Sequence, residues 1–133
     1  MPTPGQRLGY AGERRCMAAL RAEHYVVWKS GGSLSAADLL AAKPGQWLLV
    51  QVKAGRRKGL EHQWFNELFA TCTELSAGGH AGAWMTVVPV VADWPDRTAG
   101  RWGPMRLRRI TGLHLTRSQF WPMEPFSIDT AEE

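Results

Sequence analysis

Residues 47–53 read WLLVQVK, and this stretch decides which fold the chain can form. Its apolar start is typical of a buried β-strand. Side chains on a strand alternate between its two faces, so Val50 and Val52 lie on one face while Gln51 and Lys53 lie on the other. The polar face has two interpretations. Either the strand's end is exposed and Lys53 is solvated, or the amide and the amine serve chemistry at this edge of the sheet.

The segments around this strand predict an α/β fold. Apolar residues spaced three or four apart indicate amphipathic helices, whereas short apolar or alternating runs bounded by Gly and Pro indicate strands. The resulting αβββαββ order favours one mixed β-sheet flanked by helices. The predicted helices cover 8–24 and 60–75, and the predicted strands cover 25–30, 36–42, 47–53, 83–91 and 105–111.

We expect a single domain over residues 7–125, because a chain of 133 residues suits one hydrophobic core. Residues 1–6 are rich in proline and glycine and predict a flexible N-terminus. Residues 126–133 end in the polar run TAEE and predict a flexible tail.

The composition, 44% hydrophobic and 21% charged, is that of a soluble globular protein. The net charge is +4, and arginine outnumbers lysine by twelve to four. The planar guanidinium suits bidentate contacts to phosphate, so a polyanionic partner such as nucleic acid is one interpretation of the charge. The other is a basic surface that keeps the protein soluble.

The cysteines, Cys16 and Cys72, fall at apolar positions of the predicted helices. We expect reduced core residues in a reducing compartment rather than a disulfide framework. No segment is apolar enough to span a bilayer, and the first residues lack the apolar centre of a signal peptide. We therefore expect no membrane partner and a cytoplasmic location, in the host cytoplasm if the chain is viral.

Glu13 does not suit a plain core. It precedes Cys16 and Leu20 by three and seven positions, which places its carboxylate on the apolar face of the first helix. An unpaired buried carboxylate costs roughly several kcal/mol and needs a cation, a metal or a proton. Alternatively, Glu13 lies at the edge of this face, where it reaches water or pairs with Arg7 or Arg14.

Asp38 interrupts the predicted strand 36–42 between apolar neighbours. Asp is disfavoured in strands, so its presence suggests a specific role. The simpler alternative is an aspartate at a turn or at the end of a strand.

Glu13, Asp38, Gln51 and Lys53 together suit one chemistry, because a helix and two neighbouring strands can bring them to one end of a sheet. Carboxylate and amide oxygens are ligands for Mg²⁺ or Mn²⁺, and such an ion can activate water and contact a phosphoryl oxygen. Lys53 can orient or deprotonate the attacking water, or stabilise the developing charge. The basic run 56–58 follows directly and can hold a phosphate backbone.

The order of these motifs resembles that of the archaeal-type Holliday junction resolvases of the PD-(D/E)XK nuclease superfamily. The family's G-x-x-x-E-R start is matched by GYAGERR with Glu13, and its strand with a basic residue and a G-S loop is matched by VVWKSGGS. The family's D-[LI]-[LIV]-A strand is matched by ADLLA with Asp38, and its apolar strand ending E-V-K is matched by LLVQVK with Gln51. The match covers roughly residues 7–111.

The resemblance implies a restriction-endonuclease-like fold. It also implies a Mg²⁺-dependent endonuclease, with Mn²⁺ as a substitute, that resolves four-way DNA junctions by phosphodiester hydrolysis. Its partners would be branched double-stranded DNA and a second copy of the chain, since two sites on a two-fold dimer suit paired symmetric nicks.

The resemblance also implies roles for individual residues. The catalytic set would be Glu13, Asp38, Gln51, Lys53 and Ser33. The metal would be surrounded by Glu13, Asp38 and Gln51. The DNA-binding set would be Arg14, Lys29, Ser30, Arg56, Arg57 and Lys58. Gln63, at the start of the second helix, is a further candidate near the site.

One departure concerns Gln51, which stands where the family has Glu. The amide keeps an oxygen ligand but loses a negative charge, which weakens or relocates the metal or marks a protein that binds junctions without cutting them. Three functions thus remain open: a junction resolvase, another nuclease of the superfamily acting on flaps, forks or restriction sites, and a non-cleaving junction-binding protein.

The chain also has seven tryptophans. Core or interface packing explains most of them, whereas Trp94 and Trp102 in the long loop before the last predicted strand could stack on bases or on a partner.

Overall fold

The strand predicted at 47–53 lies at the centre of the fold. The computed structural model describes residues 3–30, 37–55, 61–77, 86–114 and 122–128. In chain order the elements are α1 (Pro4–Ala22), β1 (Val26–Lys29), β2 (Leu39–Lys43), β3 (Gln46–Lys53), α2 (Glu61–Ala77), β4 (Thr86–Asp93), β5 (Arg106–Ile110) and β6 (Met123–Pro125).

The strands form one six-stranded sheet in the order β1-β2-β3-β4-β5-β6. Strands β3 and β4 are parallel, with α2 in the connection between them, and all other neighbouring pairs are antiparallel. The predicted α/β domain with one mixed sheet and flanking helices is therefore confirmed.

The predicted αβββαββ order was wrong in one respect, because the sheet has an additional edge strand, β6. This strand has three residues and ends at a proline, so its sequence carries little strand signal. The next residues, assigned above to the C-terminal tail, also contact the domain. The Phe126 N–H donates to the Leu107 carbonyl at 3.0 Å, and Phe126 and Ile128 pack against the core.

The two faces of β3 belong to two hydrophobic clusters. Val50 and Val52 pack with Cys16 of α1, whereas Leu49 packs with Phe65 of α2. Each helix covers one face of the sheet, and neither α1 nor α2 is long and apolar enough to cross a bilayer. The predicted alternation along β3 is therefore confirmed for its apolar residues.

Both cysteines lie in these clusters as free thiols, Cys16 on the buried face of α1 and Cys72 on the buried face of α2. Burial raises the pKa of each thiol to about 12, so both remain protonated at neutral pH. The prediction that both cysteines are core residues is confirmed.

Helix α1 begins at Pro4, before the predicted start at Leu8. The Thr3 hydroxyl accepts the Gln6 N–H at 3.1 Å, and the Gln6 side chain accepts the Thr3 N–H at 2.8 Å. This capping box satisfies two N–H groups at the helix end, and a proline in the first turn needs no hydrogen-bond acceptor for its nitrogen. Residues 3–6, part of the stretch for which flexibility was predicted, thus form the N-cap and the first turn of α1.

Gly12 lets α1 approach the end of β3 closely. A Cβ on this residue would lie 2.7 Å from the Ala54 Cβ and 3.3 Å from side-chain atoms of Trp94 and Val52. Trp94 is itself buried in the cluster under α1, which excludes the alternative that it stacks on a base. This close approach brings the residue after Gly12, Glu13, to the end of the sheet.

We expect Gly12→Ala to lower the free energy of unfolding by about 1–2 kcal/mol, because the cost of overpacking exceeds the gain in helix propensity. Gly9→Ala is the matched control, since its Cβ would meet nothing within 4 Å. It should raise stability by about 0.5–1 kcal/mol. Urea unfolding of the two variants measures both effects, and equal shifts of the same sign would contradict the close approach.

Candidate functional site

Glu13, Asp38, Gln51 and Lys53 all line one cleft of about 510 Å³. Its walls come from the first turns of α1, the residue before β2, the last residues of β3 and the two that follow it, and the start of α2. The sequence prediction that these four side chains meet at one end of the sheet agrees with this arrangement.

Asp38 lies immediately before β2, so the alternative of an aspartate at the end of a strand is confirmed and the prediction that it interrupts a strand was wrong. Its backbone N–H donates to the Val50 carbonyl at 2.8 Å, and its carboxylate Oδ2 accepts the Val52 N–H at 2.8 Å. The side chain therefore continues the hydrogen bonding of β3 beyond the point where β2 begins, which is a structural role in addition to any chemical one.

The pKa of Asp38 is raised above its ordinary value, and burial is the largest cause. The hydrogen bond from Val52 lowers this pKa, the charge of Glu13 raises it, and the charge of Lys53 lowers it. Burial and a second carboxylate both disfavour the ionised form, so a cation bound beside Asp38 would relieve both.

Glu13 lies at the edge of the apolar face of α1, with its side chain 18% exposed. Its Oε1 is 3.3 Å from the Lys29 Nζ, a cation that the sequence prediction assigned to DNA. Lys29 is 53% exposed and also lies 5.4 Å from the centroid of the Tyr10 ring. An ion pair this exposed contributes about 0–1 kcal/mol, so Lys29 can exchange one anion for another at little cost.

Gln51 and Lys53 lie on the face of β3 that α2 covers. The Gln51 side chain is buried, and the Lys53 Nζ lies 4.5 Å from the centroid of the Trp64 ring. On α2 it is Trp64, rather than the predicted Gln63, that lines the cleft, and Gln63 is exposed. In the sequence, helical spacing marks Trp64 only as an apolar residue of the second helix, so its contact with Lys53 could not be predicted.

A further ionic group lies beside Lys53. Asp93 is its register partner on β4, and the Asp93 Oδ1 accepts the Arg106 Nε–H at 2.8 Å. The Arg108 guanidinium lies 3.2 Å from the Asp93 Oδ2. The alternation in MRLRRI predicts basic residues on an outer face, but it does not reveal that two of them converge on one carboxylate.

The cleft residues suit a hard divalent cation only if the amide takes part. Among the described residues there is no group of three His, Cys, Asp or Glu side chains able to hold a metal. The cleft nevertheless offers the carboxylates of Glu13 and Asp38 and the side-chain oxygen of Gln51. Three oxygen donors, with water completing the shell, suit Mg²⁺ or Mn²⁺.

The remaining predicted residues are distributed as follows. The Ser30 N–H donates to the Asp38 carbonyl at 3.1 Å, so Ser30 is held beside the cleft through its backbone. Arg14 is exposed on α1. Ser33 and the basic run 56–58 lie outside the described residues.

A scan against models of known protein families finds none that matches this chain, and a search of curated proteins finds no significant match. Function therefore has to be inferred from the chemistry of the cleft.

We expect Asp38→Asn to raise the free energy of unfolding at pH 7 in EDTA. The folded pKa of Asp38 lies above the ordinary 3.8, so the unfolded chain releases its proton first and wild-type stability falls as pH rises through this interval. Asparagine stays neutral and still accepts the Val52 N–H. The advantage should disappear below pH 3.8.

Asp38→Ala is the companion variant, because it leaves the Val52 N–H without its acceptor. It should lose about 1–3 kcal/mol even at low pH. Urea unfolding between pH 3 and 8 measures both variants. An asparagine variant that is less stable than wild type at pH 7 would show that the ionised carboxylate is net stabilising.

Proposed function

We propose that this protein is a metal-dependent DNA endonuclease that resolves four-way junctions. The observation that supports it best is the convergence of Glu13, Asp38, Gln51 and Lys53 in one cleft. Oxygen donors beside an amine form the minimal set for hydrolysis of a phosphodiester, since the donors hold the cation and the amine handles charge at the reacting phosphate.

Glu13, Asp38 and Gln51 would hold the cation, which lowers the pKa of a bound water and neutralises charge on the phosphate. Asp38 is positioned by its hydrogen bond to Val52, so its orientation is set by the sheet rather than by a mobile loop. Burial of Asp38 makes the bare carboxylate unfavourable and thereby favours occupation by a cation.

Lys53 would orient or deprotonate the attacking water, or stabilise the charge that develops on the phosphate. Its Nζ lies over the Trp64 ring, which restricts the flexible side chain. Because Trp64 and Lys53 come from different elements, the position of the amine depends on how α2 packs against β3.

The preference for junctions rests on the resemblance described above, which also supports a homodimer and a cytoplasmic location. The excess of arginine and the net charge of +4 support a polyanionic substrate but do not select one shape of DNA. Another nuclease of the PD-(D/E)XK superfamily, acting on flaps, forks or restriction sites, would use the same cleft. Rates on a four-way junction, a flap and a linear duplex of equal length distinguish these substrates.

A second candidate is a protein that binds junctions without cutting them. Two observations favour it: Gln51 contributes no charge to the cleft, and Glu13 is already paired with Lys29. Both lower the affinity of the cleft for a divalent cation.

We expect the wild type to nick a synthetic four-way junction in paired symmetric positions when Mg²⁺ is present. Asp38→Asn should reduce nicking to background although it folds, because it removes a charged ligand. Lys53→Met should slow nicking by about 10²- to 10⁴-fold in single-turnover reactions at saturating protein. Denaturing gels of end-labelled strands give both the rates and the positions.

Lys43→Met serves as the control. Lys43 ends β2 beside Gln46, at the end of β3 opposite to the cleft, and it contacts the Tyr25 ring. It should nick at the wild-type rate. Undiminished nicking by Asp38→Asn would reject the cleft as the active site, and an absence of nicking by the wild type in both Mg²⁺ and Mn²⁺ would reject the nuclease.

Gln51→Glu separates the nuclease from the non-cleaving protein. A third carboxylate should lower the Mg²⁺ concentration needed for half-maximal nicking, because it restores a charged ligand. If the wild type binds junctions tightly without nicking and Gln51→Glu nicks them, the protein is a junction-binding protein that does not cleave because it lacks a carboxylate at position 51. Titration of Mg²⁺ against the nicking rate, with junction affinity measured in parallel, decides between the two.

A further inference from the structure

Two guanidinium groups lie against one tryptophan outside the cleft. The Arg15 Cζ is 4.4 Å from the centroid of the Trp102 ring, and the Arg97 Cζ is 5.7 Å from it. Trp102 packs edge-on against Trp94, with ring centroids 4.9 Å apart. We call Arg15, Arg97 and Trp102 the Trp102 cluster.

The cluster is anchored to the end of β3. Trp94 is buried where Gly12 brings α1 close to the sheet, so the surface on which Trp102 packs is rigid. The Arg97 Nε–H donates to the Ala54 carbonyl at 2.9 Å. Ala54 lines the cleft and follows Lys53 in sequence, so the cluster is connected to the cleft by a single backbone step.

Within the described part of the chain, the two arginines have no carboxylate close enough to neutralise them. Among the residues that the structure describes, no ion pair within 4.0 Å involves Arg15 or Arg97, whereas Arg106 and Arg108 share Asp93. Two like charges held against one ring repel each other, so an anion bound between or beside them would lower the energy of both. Stacking on the indole leaves the in-plane N–H donors of Arg15 available to an acceptor, and those of Arg97 other than the Nε–H that donates to Ala54.

We infer that the Trp102 cluster binds phosphates of the DNA backbone that flank the phosphate in the cleft. This inference rests on the proposed function. A DNA strand with one phosphate at Lys53 would run past Ala54, whose carbonyl accepts the Arg97 Nε–H. The cluster would contribute affinity without reading sequence, since contacts to phosphate carry no sequence information. It extends the DNA-binding set to Arg15, which the motif GYAGERR contains without an assigned role, and to Arg97 and Trp102 in the loop after β4.

The test measures the salt dependence of DNA binding. Fluorescence anisotropy with a labelled four-way junction and a labelled duplex, both in EDTA to prevent nicking, gives Kd at several KCl concentrations. For Arg15→Gln with Arg97→Gln we expect weaker binding to both DNAs and a slope of log K against log salt that is smaller by about 2, since each phosphate contact contributes about 0.9.

Lys43→Gln is the matched control, because it also removes one cation that lies over an aromatic ring, 4.6 Å from the Tyr25 centroid, but at the other end of β3. It should leave the slope unchanged. The single variant Arg15→Gln tests the cluster independently of how the double variant folds. Because Arg15 is exposed, this variant should melt like the wild type, and it should reduce the slope by about 1.

The outcomes separate this inference from the proposed function. If the wild type binds and nicks DNA but the double variant keeps the wild-type slope, the cluster is not a phosphate site. If the wild type binds without nicking and the double variant loses slope, the cluster is supported and the nuclease fails. If the wild type binds neither DNA, both are rejected.

Discussion

The close approach of α1 to the end of β3 at Gly12 is the constraint on which the rest of the structure depends. Only hydrogen on the Cα of this residue leaves space for Ala54 and Trp94. The contact sets the height of α1 above the sheet and so places Glu13 at the cleft. It also buries Trp94, which supports Trp102 and its two arginines. The candidate site and the Trp102 cluster therefore depend on the same contact.

Asp38 shows how structural and chemical demands meet in one side chain. Its carboxylate accepts the Val52 N–H and so satisfies a strand donor that β2 does not reach. The same carboxylate is partly buried and close enough to Glu13 for its pKa to be raised. An amide would serve the first role without the electrostatic cost. Folding alone therefore does not account for a charge at this position, whereas the proposed metal site would.

The sequence predicted those features that depend on local periodicity. Alternation along β3 places Gln51 and Lys53 on one face, and helical spacing places Glu13 near the sheet. The Lys29 ion pair, the Trp64 contact and the additional strand β6 could not be predicted, because each depends on how separate elements pack. Periodicity describes which face a residue occupies, but not which residue of another element lies opposite.

If the proposed function holds, the charge balance of the cleft would link metal binding to DNA binding. With Gln51 neutral, the charges of the described residues balance when all are ionised. The carboxylates of Glu13 and Asp38 line the cleft together with the ammonium group of Lys53, and Lys29 pairs with Glu13 from outside the lining. A divalent cation would make the cleft positive, and a phosphodiester would compensate that charge. Each ligand would therefore strengthen binding of the other, and by linkage the two effects would be equal. A carboxylate in place of Gln51 would weaken this dependence, because the metal would then bind a cleft that is already negative.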